Sequence, residues 1–564
     1  MTELLRVSGL HAFYGESHIL HGVDFTVAKG ELVTLLGRNG AGRTTTLKSI
    51  LGLVGKRTGS ILVGGREVIG MAPHRIARLG IGWCPEERGI FASLSAEENL
   101  LLLPELGSGG MSVEEIYKMF PNLYERRKSL GGFLPQRRPK AEKVPAVPPL
   151  SAFDALLKGS GEGREISTTM AFVRVLTALV RDKEIGKHVV PIVPDEARTF
   201  GMEGMFRQLG IYSSEGQKYE PVDKDQVMYY REDRSGQILE EGINEAGAFS
   251  SWIAAATAYS HSNIVTVPFY VFYSMFGLQR IGDLAWAAAD QRARGFLLGA
   301  TAGRTTLNGE GLQHEDGHSH VLSSVVPNCV SYDPTYGYEV AVIIQDGLRR
   351  MVGNQEDVYY YLTLMNENYE HPPMPQGVEP GILKGAYLLR ESKAKQKLRV
   401  QLMGSGTILR EVEAAAQLLE SDWGVAADVW SATSFTELRR SGLAADRWNM
   451  LHPEAKPRVP YITECLEKRP AGPVIAASDY IKTFADQIRP FMPRDRAYRV
   501  LGTDGFGRSD SRAKLRYFFE VNRYFVAIAA LKALVDQGEG KAKTVADAMK
   551  KYGIDPEKAD PLTV

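Results

Sequence analysis

Gly37-Arg38-Asn39-Gly40-Ala41-Gly42-Arg43-Thr44-Thr45 reads as a glycine, four residues, a glycine, then a basic residue and threonine. Glycines at these places let backbone amides turn inward around a phosphate. The flanks agree with that reading. Glu31 to Leu36 is an apolar run fit for a buried strand, and Thr45 to Leu53 has helical character. A strand entering a glycine loop and a helix leaving it make an α/β unit, with the helix's first amides aimed at the same anion. The candidate nucleotide contacts are Gly37, Asn39, Gly40, Gly42, Arg43, Thr44 and Thr45, with Thr44 the candidate magnesium ligand. Lysine usually follows the last glycine; Arg43 keeps the charge but brings a bulkier planar fork. A second Gly-Arg-Thr-Thr string, Gly303 to Thr306, has its upstream glycine, Gly299, one residue too close. No clear strand is expected before it, so it is read as a chance resemblance.

Outward from the loop, Val23 to Val27 alternates at period two and Lys29-Gly30 marks a turn. Ser60 to Val63 and Arg66 to Ile69 flank Gly64-Gly65, a hairpin in which both turn residues need positive φ. Composition then shifts. Residues 131–150 are basic and hold Pro135, Pro139, Pro145, Pro148 and Pro149, which favours an extended linker. Beyond it the α/β alternation resumes: Ile166 to Arg181 as a helix, His188 to Val193 as a buried strand, Gly247 to Ala258 as a small-residue helix and Val265 to Phe272 as a strand. From about 376 a further α/β unit begins, with strands at Leu398 to Leu402 and Val425 to Trp430 and a helix at Leu409 to Leu419 between them. The expected divisions are therefore 1–130, 131–150, 151–375 and 376–564.

The 564 residues carry 67 basic and 67 acidic side chains, so no global field draws the chain to nucleic acid. Cys84, Cys329 and Cys465 are too few and too scattered for a disulfide framework or a zinc cluster, which points to a reducing cytoplasm. No basic segment followed by an apolar run opens the sequence, and no stretch approaches the roughly 18 apolar residues of a spanning helix. Neither a secretory signal nor membrane insertion is expected.

Around the glycine loop the sequence resembles the ATP-binding subunits of branched-chain amino-acid ABC transporters. The matching stretches are Gly37 to Thr46, Trp83-Cys84-Pro85-Glu86-Glu87-Arg88 and Leu94-Ser95-Ala96-Glu97-Glu98-Asn99-Leu100. The resemblance implies that Tyr14 stacks on adenine and that Glu86 lies where the family's Q-loop residue falls. It stops near Gly131, and no LSGGQ-type signature, Walker B strand or switch histidine follows in the sequence. Those parts hold magnesium, polarise water and contact the γ-phosphate. Weak ATP binding at most is implied, with core strands missing from the sheet.

From about Phe133 onward the sequence resembles the C-terminal half of homodimeric-type pyruvate dehydrogenase, the decarboxylating component of its complex. The strings that carry this are Asp195 to Gly204, Tyr273-Ser274-Met275-Phe276-Gly277, Leu307 to His314 and Gly502 to Asp510. The fold implied is a truncated P-loop NTPase fragment, then a transketolase-like pyrimidine-binding domain and a transketolase C-terminal-like domain. The cofactor implied is thiamin diphosphate with magnesium. By the resemblance, Glu245 in Gly242-Ile243-Asn244-Glu245 bonds the pyrimidine nitrogen, Ile243 and Phe276 pack on the cofactor, and His314 orients substrate. Glu196, Tyr273 and Glu310 fall on further active-site positions. Read without the resemblance, Glu245 is an ordinary helix N-terminal carboxylate, and Ile243 and Phe276 are core residues. Glu310, Glu315, Asp316, His318 and His320 crowd around His314 and also admit a metal site, although the family motif explains them better.

The family's magnesium-anchoring domain, with its Gly-Asp-Gly motif, has no counterpart in this sequence; Thr503-Asp504-Gly505 belongs to the C-terminal domain. The chain reads as a partial, impaired pyruvate-decarboxylating component that passes acetyl to lipoyl groups. A homodimer and a lipoyl-bearing acetyltransferase are the implied partners. The alternatives are an ATP-binding transporter module and a non-functional joining of two gene fragments.

Overall fold

The computed structural model describes residues 3–36, 40–84, 90–91, 93–102, 110–125, 127–128, 140–194, 197, 199–220, 230–307 and 311–564. The chain divides into two compact units, 1–137 and 138–564.

The first unit is built on a four-stranded antiparallel sheet in the order β2 (Ser17–Ala28), β1 (Glu3–Tyr14), β3 (Lys56–Val63), β4 (Arg66–Glu67). The β3–β4 hairpin turns at Gly64 and Gly65, with φ of +53° and +79°, as a two-residue turn between right-twisted strands requires. Helix α1 (Arg43–Ile50) starts from Gly42, which is left-handed at φ +85°. A Cβ on Gly42 would lie 2.5 Å from Leu20, so the helix seats on the sheet only through glycine.

The run Glu31 to Leu36 is not a strand. Leu32 is 94 % and Leu36 87 % exposed. An apolar run of this kind becomes a strand when parallel neighbours flank it. Among the described residues of this unit every strand pairing is antiparallel. Beside α1, Leu4, Leu47, Ile50, Val63, Leu79 and Trp83 line an open apolar cavity of about 580 Å³.

The second unit begins with a seated strap. Ala141 exchanges hydrogen bonds with the Gln355 side chain at 2.8 and 3.0 Å, and Glu142 N–H donates to Asn263 at 3.0 Å. The prolines here lie on a folded surface, so residues 140–150 do not form a free linker.

A six-stranded, wholly parallel sheet follows, in the order β9 (Cys329–Tyr332), β10 (Tyr359–Thr363), β8 (Phe296–Ala300), β7 (Val267–Tyr273), β5 (Val189–Val193), β6 (Leu239–Glu240). Strands β8, β9 and β10 are buried along their whole length, because helices cover both faces of a parallel sheet. Among these helices are α2 (Thr168–Arg181), α3 (Glu245–His261), α4 (Leu278–Asp290) and α5 (Gly337–Leu348). Trp252 of α3 is fully buried and donates its ring N–H to the Phe296 carbonyl at 3.1 Å, fixing α3 across the sheet.

A five-stranded sheet completes the unit, in the order β11 (Tyr387–Arg390), β13 (Val425–Ser431), β12 (Leu398–Gly404), β14 (Val474–Ala477), β15 (Tyr498–Leu501). Only the β11–β13 pair is antiparallel. Helix α6 (Ile408–Trp423) crosses between β12 and β13, and α7 (Phe435–Leu451), α8 (Arg512–Phe518), α9 (Arg523–Asp536) and α10 (Ala542–Tyr552) follow. No helix among the described residues is long and apolar enough to cross a membrane.

The two sheets meet along a polar seam, and the Gly303 to Thr306 string is part of it. A strand, β8, does precede the string, contrary to the expectation. Gly303 turns at φ +88°, and Thr305 and Thr306 both donate to Asp479 at 2.7 Å. Arg304, buried, donates to the carbonyls of Thr503 (2.6 Å) and Gly505. Arg512 returns a bond to the Thr306 carbonyl at 2.7 Å. Arg516 bridges Glu367 and Glu411, which are also held by Arg410 and Arg523 respectively.

Candidate functional site

Glu245 opens α3. The Asn244 side chain caps the helix by accepting from Gly247 N–H at 3.1 Å, which fixes where the Glu245 side chain leaves the backbone. Its Oε1 accepts from Arg280 Nη1 at 2.8 Å, and the Glu245 side chain is largely covered. The same guanidinium lies over the Phe276 ring, 4.3 Å from its centre. Phe276 ends a short turn that continues β7, and its ring stands 4.9 Å from the His314 ring. Tyr273, the last residue of β7, meets His314 edge-on at 4.9 Å and Phe200 at 5.3 Å. Glu245, Arg280, Phe276, His314 and Tyr273 thus form one contiguous chain of contacts at the C-terminal end of β7, where open parallel sheets place their ligand sites.

Ile243, two residues before Glu245, is 74 % exposed. It is not a core residue, so the reading of it as plain packing is set aside. Phe276 is half-buried with one face against His314 and Arg280. Beneath Glu245, the Tyr270 hydroxyl is buried without a hydrogen-bond partner. Burial, and then the charges of Glu245 and Glu241, push its pKa upward.

The residues after His314 turn inward and separate. Asp316 accepts from the backbone of His318 (3.0 Å) and Ser319 (2.9 Å). His318 bonds Gln279 at 2.5 Å. His320 is fully buried, bonds Thr363 at 2.8 Å and stacks on Phe484 at 4.6 Å; burial pushes it down to about 3. Among the described residues no group of histidines, cysteines and carboxylates is placed to hold a metal, so a metal reading of Glu315, Asp316, His318 and His320 is not supported. Glu196 and Glu310 lie outside the described residues, as do Gly37, Asn39 and Glu86.

In the first unit, Gly40 and Gly42 carry φ of +86° and +85°. Arg43 and Thr44 are exposed at the start of α1, whereas Thr45 is buried. Tyr14 is half-exposed at the end of β1.

Sequence reasoning did not single out Arg280 or Tyr270. Arg280 lies four residues after Phe276, the spacing at which neighbours on one turn meet. Tyr270 sits inside an apolar strand and gives no signal of its own.

The residues fit one end of thiamin diphosphate. A largely covered carboxylate, an aromatic face and an exposed isoleucine suit a polar heteroaromatic ring. The described residues around them present no cation set for a diphosphate.

Residues 150–372 match the pyruvate dehydrogenase E1 component middle domain, residues 385–522 the transketolase-like C-terminal domain, and residues 20–145 the ABC transporter domain. The second unit thus pairs an α/β domain of the pyruvate dehydrogenase E1 middle-domain type with one of the transketolase C-terminal type, and the N-terminal match is to an ABC transporter domain. Two curated relatives are pyruvate dehydrogenase E1 components. That of Pseudomonas aeruginosa is 67 % identical over 440 residues, 78 % of this chain and 49 % of the relative. That of Escherichia coli K12 is 54 % identical over 489 residues, 86 % of this chain and 54 % of the relative. The chain spans about half the length of the relatives it matches. Transketolase from Leishmania mexicana superposes with a TM-score of 0.49 at 17 % identity, covering 70 % of this chain and 50 % of that one.

Proposed function

We propose that residues 138–564 form the pyrimidine-binding and C-terminal part of a pyruvate-decarboxylating, acetyl-transferring enzyme that uses thiamin diphosphate with magnesium. The observation that carries this reading is the run of contacts from Glu245 through Arg280 and Phe276 to His314 and Tyr273, in a region 67 % identical to a pyruvate dehydrogenase E1 component. When bound, the cofactor supplies a carbon nucleophile and an electron sink for decarboxylation.

The chain's own residues orient and move protons. Glu245 presents its carboxyl group to the pyrimidine ring, with Arg280 holding it in place. Ile243 and Phe276 offer the ring an apolar seat and exclude water from it. His314, packed between Tyr273 and Phe276, directs a ring nitrogen at the substrate and exchanges a proton there. Glu196 and Glu310 are proposed to join them. A chain supplying the diphosphate half completes the site, in a homodimer-like pairing, and a lipoyl-bearing acetyltransferase takes the acetyl group.

Calorimetry of thiamin diphosphate with magnesium tests the reading, run on the chain alone and with an equimolar intact E1 subunit. Binding that Glu245→Ala abolishes is the expected result. Equal binding by wild type and Glu245→Ala in both settings overturns it.

The N-terminal match to the ABC transporter domain favours a second reading for residues 20–145: nucleotide binding at Gly40, Gly42, Arg43, Thr44 and Thr45. Saturable binding of ATP with magnesium, lost in Thr44→Ala, supports it; no binding excludes it.

A further inference from the structure

His314 ends a short 310 turn, Leu312–His314, and the next side chain leaves that turn for the interior. Glu315 is 1 % exposed. Its Oε2 accepts the Arg508 backbone N–H at 2.7 Å. Arg508 belongs to the loop between β15 and α8, in the C-terminal domain. Gly507 approaches so closely that a Cβ on it would lie 2.8 Å from both Glu315 Oε2 and the Leu312 carbonyl. The other carboxyl oxygen, Oε1, is buried with no hydrogen-bond partner. One backbone donor leaves most of an ionised carboxylate's acceptor sites empty, and a buried carboxylate then favours its protonated form.

The charged groups around it come from four segments. Arg304 faces it from the loop after β8, but that guanidinium is already committed to the Thr503 and Gly505 carbonyls and also faces Asp316, Asp479 and Asp504. Asp479 approaches from the loop after β14 and opposes a second negative charge. Asp316 lies on Glu315's own segment. Asp504 and the Arg508 side chain, which stacks on Phe518 at 4.5 Å, belong to the loop itself. On the outer side of the turn, Leu312, Phe506, Arg508 and Phe518 line a cleft of about 680 Å³. The turn therefore borders this cleft on one side, with Glu315 on the other as its tie to the second domain.

We propose that Glu315 is a positioning residue: its carboxyl ties the His314 turn to the Gly507–Arg508 loop, and gain or loss of its proton moves the turn, and His314 with it, against Tyr273 and Phe276. The proposal rests on the reading of His314 as a site residue. Burial pushes the Glu315 carboxyl up to about 7, with the Arg508 N–H opposing, Asp479 adding and Arg304 opposing. The proton therefore exchanges near neutral pH.

The test is methyl NMR of the full chain with 13C-labelled leucine, following the Leu312 signal (identified by its loss in Leu312→Ile) from pH 5.5 to 8.5. The expected result is an inflection near pH 7 in wild type and in His314→Asn, and none in Glu315→Gln. Persistence of the inflection in folded Glu315→Gln overturns the proposal. So does failure of Glu315→Gln to fold, since glutamine matches the protonated form in shape and charge. Gly507→Ala provides an independent arm: it displaces the Leu312 signal at every pH while the inflection remains, and an unmoved signal refutes the tie. None of these signals needs cofactor, pyruvate or partner, so they remain readable if the calorimetry above fails.

Discussion

Asp333→Asn tests the electrostatics of the seam between the two sheets. Asp333 follows β9 and is buried. Its carboxylate accepts from Thr363 of the first sheet and from Ser405 of the second, both at 2.7 Å. No cation faces it. Burial pushes its pKa up from 3.8 to about 7, with the two hydroxyls opposing and the charges of Asp479 and Glu339 adding. The sign follows from proton counting. The folded chain keeps this proton up to pH 7, whereas the unfolded chain releases it near 4. Stability is therefore full below about pH 4, falls as pH rises to about 7, and is constant above. The whole loss is about 4 kcal/mol and the part between pH 5.5 and 7 about 2 kcal/mol.

Asparagine keeps the shape and cannot ionise; a hydroxyl that now meets the amide nitrogen turns to accept from it. Glu315 and other buried carboxyls add their own pH dependence to both proteins, so the informative quantity is variant minus wild type. That difference should rise by about 2 kcal/mol between pH 5.5 and 8 in urea unfolding followed by tryptophan fluorescence. Five of the six tryptophans lie in residues 138–564, so the signal belongs to the unit that holds Asp333. A difference that stays flat across this range would mean Asp333 is ionised throughout, and the reasoning fails.

Two further substitutions probe the seam and the first unit. Gly303→Ala places a Cβ 2.3 Å from Asp479 Oδ2 at a φ of +88°, and should destabilise the second unit by about 2 kcal/mol or more in the same urea assay. Leu32→Ser with Leu36→Ser should change the thermal midpoint little, within about 0.5 kcal/mol per site, and should lower binding of a hydrophobic dye; a loss of about 2–5 kcal/mol, as for a buried strand, would show that this run packs.

Most of the second unit's fold is legible because buried parallel strands announce themselves. Leu398 to Leu402 and Val425 to Trp430 are short apolar runs, and they form adjacent parallel strands with the helix between them crossing over. The same signal misleads at Glu31 to Leu36. An apolar run records what a strand would need, not whether neighbours are there to pair with it. The Gly303 to Thr306 string fails for another reason. Its meaning lies in Asp479, more than 170 residues away, and no local pattern carries that pairing. At the site, Glu245, Tyr273, Phe276 and His314 stand out through the resemblance. Arg280 joins them only in three dimensions, because one guanidinium bonds Glu245 and covers Phe276.

The candidate site is consequently set by two domains of unequal roles. Glu245, Tyr273 and Phe276 are placed by α3 and β7, elements of the first sheet with their own covered core. His314 is placed differently: it packs on Tyr273 and Phe276, but its turn follows a segment in which Arg304, Thr305 and Thr306 are each bonded to the second sheet's domain. Arg516 sits at the centre of the buried ion pairs that close the seam, sharing Glu367 with Arg410 and Glu411 with Arg523. Removing one member of such a network leaves its carboxylates partly compensated, so the seam tolerates single losses better than an isolated buried pair would. Among the described residues of the candidate site, His314 is the one whose turn is tied to the C-terminal domain, so changes in that domain should appear first at His314 and last at Glu245.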